Sequence, residues 1–327
     1  MPPTLPLTHK WVTELYPTAP FNFDATVHKP SHFPSADNAW KPGVRWQTMR
    51  WQNEPLGLKL ENAGTVARPK IKLSVWSQAP LSAAFRQSLR AEIEYRYNLA
   101  LDLAPFTRAL KSDPQLGPVL RRWRGMRPMS ASSLYEYLIF AIVLQNATVR
   151  RSVNMLQALF DAYGVRLAYA GRELAGFWPP AVMGRATEAE LRQLKVGYRA
   201  KSFLRVTEAF TRGDIDELAL RSQPLETQRE ALISLYGVGP ASVGYLLFDV
   251  FHQWDELSHI SPWEQKIYSK LFFNRDPEKP APAEKLLALF EQRFSGYKML
   301  AVHYLWEDLF WQRKTQPVEW LEKLIRL

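Results

Sequence analysis

Apolar and polar positions divide this chain into two regimes. Over residues 1–85 the pattern is short and alternating. Residues 21–27 (Phe-Asn-Phe-Asp-Ala-Thr-Val) alternate, as do residues 46–51 and 70–76, and Pro30, Pro34, Pro42, Gly43, Pro55 and Gly57 punctuate them. A two-residue period between Pro and Gly breaks predicts the strands of a small antiparallel sheet. From about Leu81 the apolar spacing lengthens to three and four residues. That period predicts helices over residues 85–103, 132–164, 188–211, 226–236, 240–251, 262–273, 282–294 and 297–313. Gly164 and Gly237 follow the last apolar positions of their patterns and read as the C′ residues that end those helices. The expected fold class is α+β, with an N-terminal antiparallel sheet domain over residues 1–85 and a helical domain over residues 86–327. No internal repeat or low-complexity segment appears.

A chain of 327 residues with 46% apolar content has material for two domains with sizeable cores. Charge sharpens the picture. Forty-two Lys and Arg against 32 Asp and Glu leave a net charge of +10, which suits a phosphate polymer as partner. There is no cysteine, which excludes disulfides, cysteine-ligated zinc and an iron–sulfur cluster. The six His are scattered, without the spacing of a catalytic metal site. No run of 18 apolar residues occurs, and the first ten residues lack the apolar core of a signal peptide. The expectation is a soluble, intracellular protein with no membrane contact.

The candidate chemistry begins at Leu235-Tyr236-Gly237-Val238-Gly239-Pro240, between helical patterns at 228–236 and 240–251. Two glycines two apart permit a turn tight enough to aim successive backbone N–H groups at one phosphate, at the start of a helix. This hairpin resembles the helix-hairpin-helix element of DNA glycosylases related to endonuclease III. The chain order of sheet, helices, hairpin and further helices resembles the 8-oxoguanine and 3-methyladenine DNA glycosylase branch of that superfamily.

Three further segments carry the resemblance. In the run from Glu136 to Arg151, Asn146 falls where the family's loop supplies an Asn that fills the gap left by a flipped base. Arg151, five residues on, falls where an Arg reads the orphaned partner base. The turn Gly197-Tyr198-Arg199-Ala200-Lys201 matches the family's wedge, in which the Tyr enters the duplex and the Arg contacts the partner base. Leu300-Ala301-Val302-His303-Tyr304-Leu305-Trp306 resembles a helix lining the base pocket, with Val302 and His303 in place of two amides. His303 and Trp306 are the candidate base contacts; core packing accounts for them equally well. The resemblance implies double-stranded DNA containing a damaged base as partner, bound in a cleft by a monomer. It implies no cofactor, apart from a structural cation at the hairpin carbonyls as an option.

Both catalytic positions depart from the family pattern. Bifunctional members carry a Schiff-base Lys two residues after the second hairpin Gly, where this chain has Ala241. Active members carry an Asp at the start of the next helix; aligning Lys266-Ile267-Tyr268 puts Ser261 there. Serine caps a helix but supplies no negative charge. Glu264 is the nearest carboxylate and the first replacement candidate, yet Ser261-Pro262-Trp263-Glu264 also reads as a capping box. Asp255 is the second candidate. Asp249, Glu256 and His259 lie nearby in the sequence. Two functions stay open: a monofunctional glycosylase of oxidised or alkylated purines with a relocated carboxylate, and a non-catalytic lesion or DNA-structure binder that keeps the flipping apparatus.

Overall fold

The computed structural model describes residues 2–325. In chain order it begins with β1 (Thr4–Pro6), β2 (His9–Leu15), α1 (Phe23–Val27), β3 (Asn38–Lys41), β4 (Val44–Trp51), β5 (Glu54–Asn62), β6 (Ile71–Ser77) and α2 (Ala83–Arg96). Then come α3 (Ala104–Leu110), α4 (Leu116–Arg122), α5 (Leu134–Leu144), α6 (Val149–Tyr163), β7 (Val165–Tyr169), β8 (Arg172–Gly176), α7 (Pro180–Met183), α8 (Glu188–Gln193) and α9 (Arg199–Arg212). The chain ends with α10 (Glu217–Leu220), α11 (Leu225–Ile233), α12 (Pro240–Asp249), α13 (Pro262–Phe273), α14 (Ala283–Phe294), α15 (Lys298–Thr315) and α16 (Glu319–Glu322). The fold class is α+β. Two compact units form, one from Met1–Leu103 with Arg124–Glu217, the other from Ala104–Trp123 with Leu218–Leu327.

The first unit holds both sheets. Five antiparallel strands run in the order β2-β6-β5-β4-β3. Their inward positions, among them Leu15, Leu56, Leu58, Leu60, Leu73 and Val75, pack against Leu89 and Ile93 of α2 and against Tyr97, its C-cap. A second sheet orders β1-β7-β8, with β1 parallel to β7. Tyr169 of β7 joins the sheets by donating its hydroxyl to the Gln47 carbonyl at 2.8 Å. Gly57 makes room for it, because a Cβ there would stand 2.4 Å from the Tyr169 ring. The alternating residues 21–27 are not a strand. Asn22 caps α1 by accepting from the Ala25 amide at 3.1 Å, and Phe23, Ala25, Thr26 and Val27 are all buried. A helix buried on nearly every side satisfies an alternating pattern as well as a strand does.

Two long helical patterns are broken. The pattern over 132–164 splits into α5 and α6 around Gln145-Asn146-Ala147-Thr148, and that over 188–211 splits into α8 and α9 around Lys195-Val196-Gly197-Tyr198. Gly164 does end α6, but in extended backbone (φ −79°). Its lack of a side chain answers a close approach instead, since a Cβ would stand 2.7 Å from the Phe160 carbonyl.

The second unit is helical. Asp113, just before α4, receives a two-pronged ion pair from Arg293 of α14 at 2.7 to 3.0 Å. Asp308 of α15 accepts from Arg122 at 2.5 Å and from the Trp123 indole at 2.6 Å. These pairs tie residues 104–123 to helices far along the chain. Phe272, Phe290 and Phe294, with ring centroids 5.0 to 6.1 Å apart, fill the layer between α13 and α14.

Candidate nucleic-acid interface

The first unit gathers the residues expected to wedge and fill an opened duplex. Asn146 sits in the break between α5 and α6, exposed and with left-handed backbone (φ 47°). Its side-chain amide donates to the Tyr198 hydroxyl at 3.3 Å. Tyr198 precedes α9, follows Gly197 (φ 66°), and is 54% exposed. Arg151 is exposed on the first turn of α6, its guanidinium about 4.0 Å from where a Gly197 Cβ would stand. Leu144, which no sequence motif singled out, is exposed immediately before the break. An exposed Leu at the end of an otherwise buried helix was the available signal. The result is one surface of amide, phenol, guanidinium and apolar side chain, chemistry suited to an opened duplex.

Arg199 differs from its sequence-based role. It is 1% exposed, and its guanidinium donates to the Ile142 carbonyl at 3.1 Å and to the Gln145 carbonyl. Burial, with Arg151 adding like-charge repulsion, holds its pKa below the usual guanidinium value. Arg199 points into the protein, so reading a partner base is not its position here.

The second unit carries the hairpin. Helix α11 ends before Gly237, which takes left-handed backbone (φ 82°), and Leu235 and Val238 are buried beneath the turn. Gly239 is the N-cap of α12 in ordinary extended backbone (φ −102°), and a Cβ there would meet nothing within 4 Å. The first intrahelical bond runs from the Val243 amide to the Gly239 carbonyl at 3.0 Å, so the Ala241 and Ser242 amides precede the helical ladder. Neither backbone angle nor internal packing requires a glycine at 239.

The start of α13 is a complete capping box. The Ser261 hydroxyl accepts from the Glu264 amide at 3.4 Å, and the Glu264 carboxylate accepts from the Ser261 amide at 2.9 Å. Glu264 is 4% exposed, and its other oxygen accepts from the Tyr268 hydroxyl at 3.3 Å. The Glu264 charge also acts on the Tyr245 phenol. Burial, then the Glu264 charge, pushes both phenols well above their ordinary pKa and keeps them donors. Glu264 is therefore a cap and the acceptor of the Tyr268 hydroxyl, not a free carboxylate. Asp255 is also engaged: it caps α15 through the Lys298 amide at 3.0 Å and pairs with the Lys298 ammonium at 3.1 Å.

Above the cap, Trp263 is 39% exposed and meets the ring of Trp306 edge-on at 5.2 Å. Trp306 contacts Tyr268 in turn at 5.9 Å. His303 stands apart from this group, against Phe248 at 5.3 Å, where Phe248 also meets Trp254. Gly244, in the middle of α12, borders open space and was missed in the sequence. A lone glycine inside a helical pattern was the signal. Among the described residues no cluster of three or more His, Asp or Glu is placed to hold a metal ion, and no helix is long and apolar enough to cross a membrane.

No family model matches the chain. A DNA-3-methyladenine glycosylase of Bacillus subtilis is 22% identical over 237 residues, 71% of this chain and 75% of that protein. The 3-methyladenine DNA-glycosylase of Archaeoglobus fulgidus has a TM-score of 0.74 at 16% identity, over 94% of this chain and 99% of that one. The 8-oxoguanine glycosylase/lyase of Clostridium acetobutylicum, solved on double-stranded DNA with cytosine opposite 8-oxoguanine, has a TM-score of 0.61 at 15% identity, over 86% and 99%. The chain is thus similar in sequence to DNA glycosylases and shares the fold of the 3-methyladenine and 8-oxoguanine glycosylase structures. In this chain the residue two after Gly239 is Ala241, and the N-cap of α13 is Ser261.

Proposed function

We propose that this protein is a monofunctional DNA glycosylase that hydrolyses the N-glycosidic bond of cationic, alkylated purines in double-stranded DNA. It acts as a monomer and uses no cofactor. The observation that carries the reading is a complete hairpin and wedge surface combined with a catalytic helix start that presents indoles and no free carboxylate. The names of its relatives support base excision from DNA; the lesion class comes from the residues.

The amides at the start of α12 hold a backbone phosphate. Tyr198 wedges into the duplex, Asn146 fills the vacated stack, and Arg151 meets the orphaned base. The extruded base stacks on Trp263 and Trp306, whose faces attract a positive ring. A purine alkylated at N3 or N7 already carries that charge. The glycosidic electron pair goes to the base, which leaves neutral; water adds to the sugar C1′ and loses a proton. A neutral base leaves far less readily and needs more stabilisation of the positive sugar. A preorganised charge or donor at such a site contributes roughly 10²–10³ in rate. Neither Ser261 nor the engaged Glu264 and Asp255 supplies it, so the bond already weakened by alkylation is the fitting substrate. With Ala241 in place of the amine, no Schiff base forms at that position.

The test is single-turnover base release from duplexes carrying 7-methylguanine, 3-methyladenine or 8-oxoguanine. The expected result is release of the methylated bases, slowed in Trp263→Ala, and none of 8-oxoguanine. Comparable release of 8-oxoguanine would refute the lesion class. Tight lesion-dependent binding with no release of any base would support the second reading, a non-catalytic lesion binder, which the same two substitutions favour.

A further inference from the structure

The break between α5 and α6 leaves helix-end carbonyls to be satisfied. Left-handed Asn146 follows the C-cap Gln145 (φ −59°, ψ 123°) as the C′ residue of α5, a position that glycine more often fills. Two side chains from other helices supply donors to the helix-end carbonyls. Ser152 of α6 donates to the Val143 carbonyl at 2.9 Å, and Arg199 of α9 spans the Ile142 and Gln145 carbonyls. A guanidinium suits the negative end of a helix dipole and holds two acceptors in one plane. The same guanidinium lies 4.7 Å from the centre of the Tyr198 ring. The contacts close into a circuit: Gln145 carbonyl to Arg199, Arg199 to the Tyr198 ring, the Tyr198 hydroxyl to the Asn146 amide, and Asn146 back along the chain to Gln145.

We infer that Arg199 is a positioning residue: from inside the fold it sets the Asn146 loop and the Tyr198 wedge at a fixed separation before DNA arrives. This rests on the lesion-binding reading above. Asn146 is in left-handed backbone, which Asn adopts more readily than other side chains, and Arg199 is the buried group that fixes the carbonyl next to it. A wedge and filler set in advance removes the cost of ordering two side chains on binding, worth about tenfold in affinity for an opened duplex. An undamaged duplex, held by the hairpin and by general charge, gains nothing from that order.

The experiment compares wild type, Arg199→Lys and Arg199→Ala. Amide hydrogen exchange over residues 145–151 and 195–198 is read in the free protein. Affinity is measured for two short duplexes of one sequence, intact or with a single tetrahydrofuran abasic analogue. Arg199→Lys keeps the charge and the fold but cannot bridge two carbonyls, so it remains informative if Arg199→Ala does not fold. The expected result is faster exchange in both segments and a preference for the abasic duplex reduced about tenfold, with affinity for the intact duplex unchanged. Variants that lose melting temperature but keep the preference would overturn the inference by making Arg199 merely structural. An equal loss on both duplexes would overturn it in favour of direct DNA contact. A wild type without abasic preference would instead refute the lesion-binding reading, so the two failures are distinguishable.

Discussion

Gly239 separates a requirement of the fold from a requirement of the partner. Its backbone (φ −102°, ψ 172°) suits any residue, and a Cβ there meets nothing within 4 Å. Gly239→Thr keeps a competent N-cap, since Thr and Gly rank together at that position. Removing a glycine from the unfolded chain adds roughly 0.4–1 kcal/mol of stability where the native angles tolerate the side chain. The melting temperature should therefore hold or rise. DNA binding should fall, because the threonine side chain fills the space a phosphate needs beside the α12 amides. One charge-assisted hydrogen bond is worth about 1.5–3 kcal/mol, so its loss weakens binding roughly 10- to 100-fold. The slope of log affinity against log salt should flatten by about 0.9, the share of a single phosphate. Thermal melts and fluorescence anisotropy on an undamaged duplex, over a series of salt concentrations, read both quantities. Unchanged affinity and slope would remove the hairpin from DNA binding, and a fall in melting temperature would show that the fold itself needs this glycine. Gly237→Ala is the contrasting control: its φ of 82° makes any side chain there cost about 1–2 kcal/mol of stability.

Three other outcomes follow from particular residues. Glu264→Gln should lower stability by about 1–2 kcal/mol through the weakened cap and leave base release per folded molecule unchanged; a selective loss of release at constant melting temperature would return Glu264 to catalysis. Ser261→Asp keeps the cap and adds a carboxylate, so excision should extend to neutral lesions, with a gain on the order of 10²; a folded variant still inert on 8-oxoguanine would count against the account. For Asp113, burial pushes the carboxyl pKa up, but the Arg293 fork and the Leu116 and Gln115 amides outweigh it, so the folded value lies below the ordinary one. The unfolded chain then binds the proton more readily, and the pair's stabilisation, complete above a normal carboxylate pKa of about 4, is lost as pH falls through the lowered folded value. Asp113→Asn should cost about 3–5 kcal/mol near neutrality and flatten that acid limb; melting curves against pH decide it.

Much of the fold was legible where local chemistry writes the structure. The pattern over 262–273 matches α13 because Ser261, Pro262 and Glu264 write its start and left-handed Asn274 its end. The Gly237 turn was readable for the same reason. Breaks inside continuous apolar patterns were not, because Asn146 and Lys195 take positive φ without being glycine. The β7–β8 hairpin was missed although Ala170 and Gly171, both at positive φ, form a two-residue turn between alternating segments. Side-chain directions around the candidate site were not legible. Arg199 in a basic turn reads as a surface cation; its burial depends on carbonyls 54 and 57 residues away in the chain. Nor does any local pattern tie residues 104–123 to α14 and α15, since the Asp113–Arg293 pair spans 180 residues.

The most direct test of the central claim is borohydride trapping run alongside single-turnover release from a duplex carrying one 7-methylguanine. The account predicts free base and an intact abasic strand that breaks only on heating in alkali, with no protein–DNA adduct. A trapped adduct, or strand cleavage without alkali, would show a covalent lyase acting through an amine other than the one missing at Ala241, and would contradict it.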